Sequence, residues 1–269
     1  MIDRYPVQHP LLRKYIRFFW ELRIGQAGIN HKIIPQRNIN LRFNLDDTPH
    51  YLYHNGSLTR LEDVYFPGLT DQYRNIYLKL DGRVHVMGIC FYPDGFFPFA
   101  GIPLSEFRNH VLGAGEIGFR QAQAINMQLR ETTGLPSRLA ILEAELLKLL
   151  DDNLMPAVFR QIFSTLNQAD NPCQIAAFCQ KNNIGVRTLE RSFNKYVGLS
   201  ASTYGALSRF HRSMNQLLYS DYSRLSDLAY DNGYFDQMHF IKDFRRFAGD
   251  TPKSFINQKN SILQIGKNI

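Results

Sequence analysis

The chain has 269 residues, 44% of them hydrophobic and 20% charged, and its 31 lysines and arginines against 24 acidic residues leave a formal net charge of +7. That composition is globular rather than disordered or fibrous, and no apolar run approaches the length of a membrane span. Three cysteines, Cys90, Cys173 and Cys179, fall at hydrophobic positions without metal-like spacing. An odd count, in a chain whose start has no signal-peptide pattern, favours a reducing cytoplasm.

The N-terminal part is predicted to be β-rich. Tyr15–Arg23, Ile29–Ile34, Ile39–Leu45, Ile76–Leu80 and Val84–Tyr92 are short segments of β-branched and aromatic residues. In the third, Ile39, Leu41, Phe43 and Leu45 share one face and Asn40, Arg42 and Asn44 the other. Val84–Tyr92 is apolar on both faces, which suits a central strand. Asp46-Asp47-Thr48-Pro49 and Asp81-Gly82 read as turns. The succession predicts a small barrel or sandwich over residues 1–112.

From about Leu104 the period becomes helical, and residues 113–168 are expected to form a helical connector. Ile117–Arg130, Ser137–Leu150 and Pro156–Leu166 are its predicted helices. In the second, Leu139, Leu142, Leu146, Leu149 and Leu150 make a stripe, with Glu143 and Glu145 facing outward. That stripe packs against the β domain or forms the seam of a homodimer, the alternative that makes this region a candidate dimerisation element. The polar run Asn167–Pro172 is expected to be a linker to a third unit, residues 169–260, and the chain from about residue 160 onward is expected to fold by itself.

This third unit contains an internal repeat about fifty residues long. Ile175, Phe178 and Cys179 answer Leu225, Leu228 and Ala229. After a one-residue shift, Leu189, Phe193, Tyr196, Gly198 and Tyr204 answer Phe240, Phe244, Phe247, Gly249 and Phe255. Each copy reads as a helix–turn–helix. In the second copy Asn232-Gly233 breaks the leading helix, Asp236 caps the next, Gly249 ends it, and Thr251-Pro252 opens another. In the first copy Ile175–Lys181 is the leading helix, and Val186, Leu189, Phe193 and Tyr196 form the core of the second. Ser200–Leu218 is a long helix between the copies, with Tyr204, Leu207, Phe210, Met214, Leu217 and Leu218 at helical spacing.

The outer faces of the two second helices are both basic. One carries Arg187, Thr188, Arg191, Asn194 and Lys195, the other Met238, His239, Lys242, Arg245 and Arg246. Such residues suit guanine edges and phosphates. The charge is also uneven: residues 170–269 hold 13 basic and 8 acidic residues (net +5), and residues 1–169 hold 18 and 16 (net +2). The partner expected is double-stranded DNA.

The second copy resembles the DNA-binding domain of the AraC/XylS family of bacterial transcription regulators. The resemblance rests on Ala229, Gly233-Tyr234, Asp236-Gln237-Met238-His239-Phe240, Phe244-Arg245, Gly249 and Thr251-Pro252. Met238 replaces the usual serine, Phe255 a tyrosine and Ile256 an arginine; in the looser first copy Gly185 stands at the expected serine cap. The resemblance implies two recognition helices held on one side of the duplex by the long helix. It implies base-reading candidates Arg187, Glu190 and Arg191 in the first, and Gln237, Met238, His239 and Lys242 in the second. Thr188, Asn194, Lys195, Arg245, Arg246 and Lys253 are the phosphate candidates.

The order of strands, helices and a helix–turn–helix pair also resembles the cupin-like sensor arrangement of that family. The runs PGL at Pro67, MGICFYPDGFFPFAGIPLSEF at Met87 and RLAILEAELL at Arg138 look like one of its recurring sensor subtypes. The expected fold class is therefore α+β: a cupin-like β domain, helices, then an all-α domain with two helix–turn–helix motifs. The expected protein is a cytoplasmic, homodimeric regulator, with a small-molecule effector as a further candidate partner and no membrane association.

No cofactor or metal is expected. Among His9, His31, His50, His54, His85 and His110 there is no His-x-His pair, and His50 and His54 sit in a loop or hairpin. Arg42 and His85 either point into a pocket, to meet an anionic or polar ligand, or stand outward on half-exposed strands. The sequence shows no phosphate loop or nucleophile elbow, so no catalytic residue is assigned. The alternative is a DNA-anchored alkylation-repair enzyme, which would need a zinc-thiolate cluster or an activated cysteine.

Overall fold

The computed structural model describes residues 2–119, 121–168, 179–220, 222 and 224–257. The linker Asn167–Pro172, Cys173 and most of the helix predicted over Ile175–Lys181 lie outside them, apart from the helix end at 179–181 and the helical residues 167–168.

The strands are β1 (Ile2–Tyr5), β2 (Ile16–Lys32), β3 (Ile39–Asn44), β4 (His50–His54), β5 (Ser57–Arg60), β6 (Val64–Pro67), β7 (Ile76–Phe91) and β8 (Val111–Gly113). Every ladder is antiparallel, in the order β1-β2-β7-β3-β6-β8, and the β4–β5 hairpin also pairs with β7. One edge of β7 carries β2. The other carries β3 along Val86–Phe91 and β4 along Ile76–Leu80. Val84–Tyr92 is apolar on both faces because each face meets a core, Met87, Ile89 and Phe91 on one side and Val84, Val86 and Cys90 on the other.

Four predicted strands are thus two. Tyr15–Arg23 and Ile29–Ile34 merge into β2, and Ile76–Leu80 and Val84–Tyr92 into β7. Asp81-Gly82 is not a chain-reversing turn: Asp81 pairs with Gly28 and Gly82 with Ala27. The register moves from Ile24↔Val84 to Ala27↔Gly82. β2 therefore carries one extra residue, a bulge that bends and twists the ribbon. Gly82 takes φ +92° at the bend, a conformation glycine adopts without a side-chain penalty. The local turn signal was real; ladders on both sides carry the strand through it.

Alternation along the bent strands separates two cores. Phe19, Leu41, Phe43, Met87, Ile89 and Phe91 belong to one that continues into the helices. Trp20, Leu22, Leu78, Leu80, Val84 and Val86 form the other, inside the curve of the sheet. Trp20 lies across Gly88, where a Cβ would stand 2.0 Å from the indole. Only a residue without a side chain leaves that ring its seat.

Four helices follow: α1 (Phe97–Ala100), α2 (Ala122–Glu131), α3 (Leu135–Leu149) and α4 (Ala157–Gln168). α2 starts later than Ile117 because Gly118 takes φ +70°; Ile117 and Phe119 pack in the core as turn residues. In α3, Leu142 and Leu146 are fully buried against the domain's own core, with Leu139, Leu149 and Leu150 half-buried at its margin. Glu143, expected to face outward, accepts the backbone N–H groups of Gln8 (2.5 Å) and His9 (3.2 Å). The middle of the leucine stripe therefore packs inward on the domain's own core.

The C-terminal helices are α5 (Val186–Tyr196), α6 (Ala201–Tyr219), α7 (Leu225–Asp231), α8 (Gln237–Ala248) and α9 (Pro252–Asn257). Ser200 caps α6 by accepting the N–H of Thr203. The α6 positions Tyr204, Leu207, Phe210, Met214 and Leu217 are buried. α4 packs Phe163 on Phe193 (4.9 Å between ring centroids) and Phe159 on Tyr196 (5.5 Å). It belongs with the helix–turn–helix pair as much as with the connector, and one hydrophobic core runs from Val7 to Phe255.

Leu142→Ala should lower unfolding stability by about 2–5 kcal/mol, as deletion of a buried leucine does. Chemical denaturation measures it. A loss below about 1 kcal/mol would mean that the site lies near solvent or collapses around the gap.

Candidate DNA-binding interface

The second motif is shaped by its turn. α7 ends at Asn232, Gly233 takes φ +77°, and the N–H of Tyr234 bonds back to Ala229 O at 3.0 Å. The buried Tyr234 ring packs on Phe240 with centroids 5.3 Å apart. Asp236 caps α8 by accepting the N–H of His239 at 2.7 Å. With Phe240, Phe244 and Phe247 inside, the 3.6-residue period turns Gln237, Met238, His239, Lys242, Arg245 and Arg246 to solvent. His239 Nε2 stands 3.8 Å from Asp243, which also pairs with Arg209 at 3.7 Å. Lys253, on α9, is exposed.

The first motif presents a narrower face. Gly185 starts α5 without a side-chain cap, and Leu189, Phe193 and Tyr196 fill the inside. Arg187, Thr188 and Arg191 are exposed. The other three candidates have work elsewhere. Glu190 accepts the N–H of Ala201 at the start of α6 (3.0 Å), and Asn194 accepts Arg108 at 2.6 Å. Lys195 lies 5.5 Å from the Phe97 ring and 5.2 Å from that of Tyr196. Asn194 and Lys195 thus meet the chain's own N-terminal half, although Lys195 stays exposed, and Glu190 meets α6.

Both motifs are tied to that half. Arg108 donates to Gly198 O (2.7 Å) as well as to Asn194, which fixes the end of α5. The N–H of Tyr73 donates to Arg246 O at 2.8 Å, and Lys32 pairs with Asp250 at 2.5 Å, at the end of α8. Gly249, at φ +73°, has the Tyr73 ring where a Cβ would be. Between these ties, His211 on α6 bonds through Nε2 to Pro35 O at 2.8 Å. Complete burial pushes His211 down to about 3, so its imidazole is neutral at ordinary pH.

Next to these ties lies an open cleft with a cavity volume of about 80 Å³. His31, Asn40 and Arg42 line its sheet side, Met214 and Leu218 of α6 and Phe255 of α9 its helical side. Arg42 therefore takes the inward alternative. His85 does not: its Nε2 lies 2.8 Å from Glu21, which Arg23 also bonds. His50 and His54 lie on the first strand of a hairpin; buried His50 contacts Tyr65 OH at 3.2 Å. Among the described residues no group of three or more His, Cys, Asp and Glu is placed to share a metal ion, and no helix is long and apolar enough to cross a membrane.

Sequence reasoning passed over Phe235. It is 82% exposed beside Met238, itself 70% exposed, at the leading end of α8. An aromatic residue between the turn residue Tyr234 and the cap Asp236 was the available signal. It also passed over Arg108, whose role depends on contacts with residues some ninety positions away.

Two family models match the chain. A domain of unknown function (DUF6597) covers residues 7–113, and a helix-turn-helix domain covers residues 178–258. The HTH-type transcriptional activator RhaS of Salmonella schwarzengrund is 26% identical over 220 residues, covering 72% of this chain and 76% of the relative; RhaS of Salmonella typhimurium matches to the same extent. Among solved structures, ToxT from Vibrio cholerae has a TM-score of 0.46 at 10% identity, over 89% of this chain and 98% of its own. The AraC-like transcriptional activator CuxR has a TM-score of 0.23 at 14% identity, over 75% of each chain.

His211 makes the seat between the halves pH-sensitive. An unfolded histidine takes up its proton near pH 6.5, whereas the folded one resists down to about 3. Its contribution is therefore intact above pH 6.5 and lost as pH falls, by up to about 1.4 kcal/mol per unit. Asp94, which burial raises to about 6, works the opposite way, so the informative quantity is the wild-type minus His211→Asn difference in unfolding free energy. That difference should shrink between pH 6.5 and 4; a constant difference would show that the ring is not held neutral.

Proposed function

We propose that the chain is a DNA-binding transcription regulator of the AraC/XylS family and that it reads two successive major grooves, one with α5 and one with α8. One observation carries this reading: both helices turn an exposed basic face outward while α6 sits buried between their cores. Phe193 packs on Tyr204 (5.7 Å) at one end of α6, and Phe244 and Phe247 pack on Phe210 (5.2 and 5.3 Å) further along. A helix of 19 residues is about 28 Å long at 1.5 Å per residue. Successive grooves on one face of DNA lie about 34 Å apart, a spacing that two helices flanking such a spacer can meet.

Arg187 and Arg191 on α5, with Gln237, Met238, His239 and Lys242 on α8, are the base-reading set of this proposal. Thr188, Arg245, Arg246 and Lys253 face phosphates, which hold the protein in register without reading sequence. Glu190, Asn194 and Lys195 move to a supporting role, because each has a partner within the protein. Met238 brings a soft apolar group to a base edge, where a thymine methyl is its natural contact.

The N-terminal half senses an effector in this proposal, through the cleft that α6 and α9 share with the sheet. The compartment is the cytoplasm, where the DNA lies. For the repair-enzyme alternative, the chemistry of the described thiols points the other way. Burial pushes Cys90 up to about 12 and raises Cys179 as well, whereas a nucleophilic cysteine needs its thiolate favoured.

Arg191→Ala and Lys242→Ala should each weaken binding to a selected DNA site by about 1–3 kcal/mol. Each should relax preference at its own cluster of base pairs, the two clusters about one helical turn apart. Fluorescence anisotropy on selected and scrambled duplexes separates the cases. Equal losses on both would mean that the side chains touch phosphates alone.

A further inference from the structure

Among the described residues, Arg42 is a buried cation without an acid. It stands on β3 opposite Tyr65 and Gly88, and alternation turns it to the concave side of the sheet, away from Leu41 and Phe43. Its residue surface is 8% exposed. The guanidinium lies 5.6 Å from the Tyr65 ring centroid and interacts with the Tyr65 hydroxyl. Its Nε has no hydrogen-bond partner, and among the described residues no carboxylate pairs with it. A charge removed from water is costly unless an opposite charge or full hydrogen bonding replaces the solvent. Arg138, the other arginine with so little surface exposed, has Glu21 at 3.8 Å.

The surroundings of Arg42 repeat the pattern. His31 Nδ1 and His50 Nε2 are also buried without partners. Burial, with the Arg42 charge as the second cause, lowers His31 to about 3 and His50 to about 4, so both rings are neutral and each can donate one N–H. Arg42 and His31 line two spaces at once. One is a small apolar hollow bounded by Trp20, Leu78 and Val86; the other is the open cleft that reaches Met214, Leu218 and Phe255. A planar fork of donors at the closed end of an apolar-walled cleft suits a small anionic head attached to an apolar body.

We propose that Arg42, assisted by His31, binds the anionic head of a small amphipathic ligand, with the ligand's apolar part lying in the cleft against α6 and α9. This assignment rests on the effector-sensing reading and deepens it by naming the ligand's chemistry. The occupied cleft would couple the sheet to α6 directly, because one ligand would touch both walls.

The chain contains one tryptophan, and Trp20 borders the hollow beside Arg42, its indole N–H donating to Asn40 at 3.2 Å. Its fluorescence is a built-in reporter. The full chain is titrated with octanoate, benzoate and octyl phosphate, and with octanol as the uncharged control. A saturable change in Trp20 emission is expected with at least one anion and not with octanol; the first two against the third separate carboxylate from phosphate recognition. Arg42→Met should weaken that binding at least about tenfold, the scale of one charge-assisted hydrogen bond. Arg42→Lys, which keeps the charge without the planar fork, gives the same comparison if the methionine variant folds poorly. Equal response to octanol, wild-type affinity in the Arg42 variants, or no saturable binding by any anion would overturn the assignment. Operator affinity measured with and without the bound anion tests the effector reading separately. Arg42-dependent binding that leaves DNA affinity unchanged supports the site and sinks the sensing role.

Discussion

The burial of α6 is the constraint on which the arrangement depends. A solvent-facing spacer would need one apolar stripe, yet this helix is covered on most sides, including at Gly205, Ser208 and Ser213. Small residues at those positions let neighbouring elements approach closely. Tyr204 serves the first motif's core, Phe210 the second's, and His211 reaches Pro35 in the N-terminal half. A fully buried phenylalanine contributes about 1.5–3 kcal/mol, so a helix that supplies several such contacts to three neighbours cannot rotate independently of any of them. The relative orientation of the two recognition helices is thereby a property of the core.

The same packing explains why the basic face of α5 is narrower than that of α8. α5 has two obligations beyond its motif. Glu190 satisfies a free N–H at the start of α6, and Asn194 accepts Arg108 from the N-terminal half. α8 meets that half near its end, through the Arg246 carbonyl and, just beyond, Asp250. Its leading end, with Phe235, Gln237, Met238 and His239, is left to solvent, and this is where base edges are reached when a recognition helix enters a groove by its N-terminus. Because the ties of the N-terminal half fall on the trailing ends of both helices, whatever changes that half can alter their setting without entering the DNA interface. Such coupling requires a ligand to interact differently with two settings of the structure.

Much of this was legible in the sequence because it is local. The repeat, the Asp236 cap, the positive φ at Gly233 and Gly249, and the aromatic spine Phe240–Phe244–Phe247 arise from chain stiffness and helical periodicity within a dozen residues. The alternation Ile39–Leu45 likewise assigned Arg42 to the face opposite Leu41 and Phe43. The errors occurred where a distant partner overrides a local preference. Asp81-Gly82 has turn chemistry, but ladders with β2 hold it within β7. Glu143 has the position of a solvated residue in its helix, but the free N–H groups of Gln8 and His9 lie above it.

The sequence by itself determined the architecture class, the two helix–turn–helix motifs and the basic outer faces of their second helices. These follow from residue type and spacing, which act over one or two turns of chain. Tertiary structure alone decided which of those polar residues remain exposed, that Leu142 and Leu146 of α3 are core, and that Arg42 is buried without a counter-ion among the described residues. Each of those outcomes depends on which residue, tens to hundreds of positions away, fills the space beside a side chain, and periodicity carries no record of it.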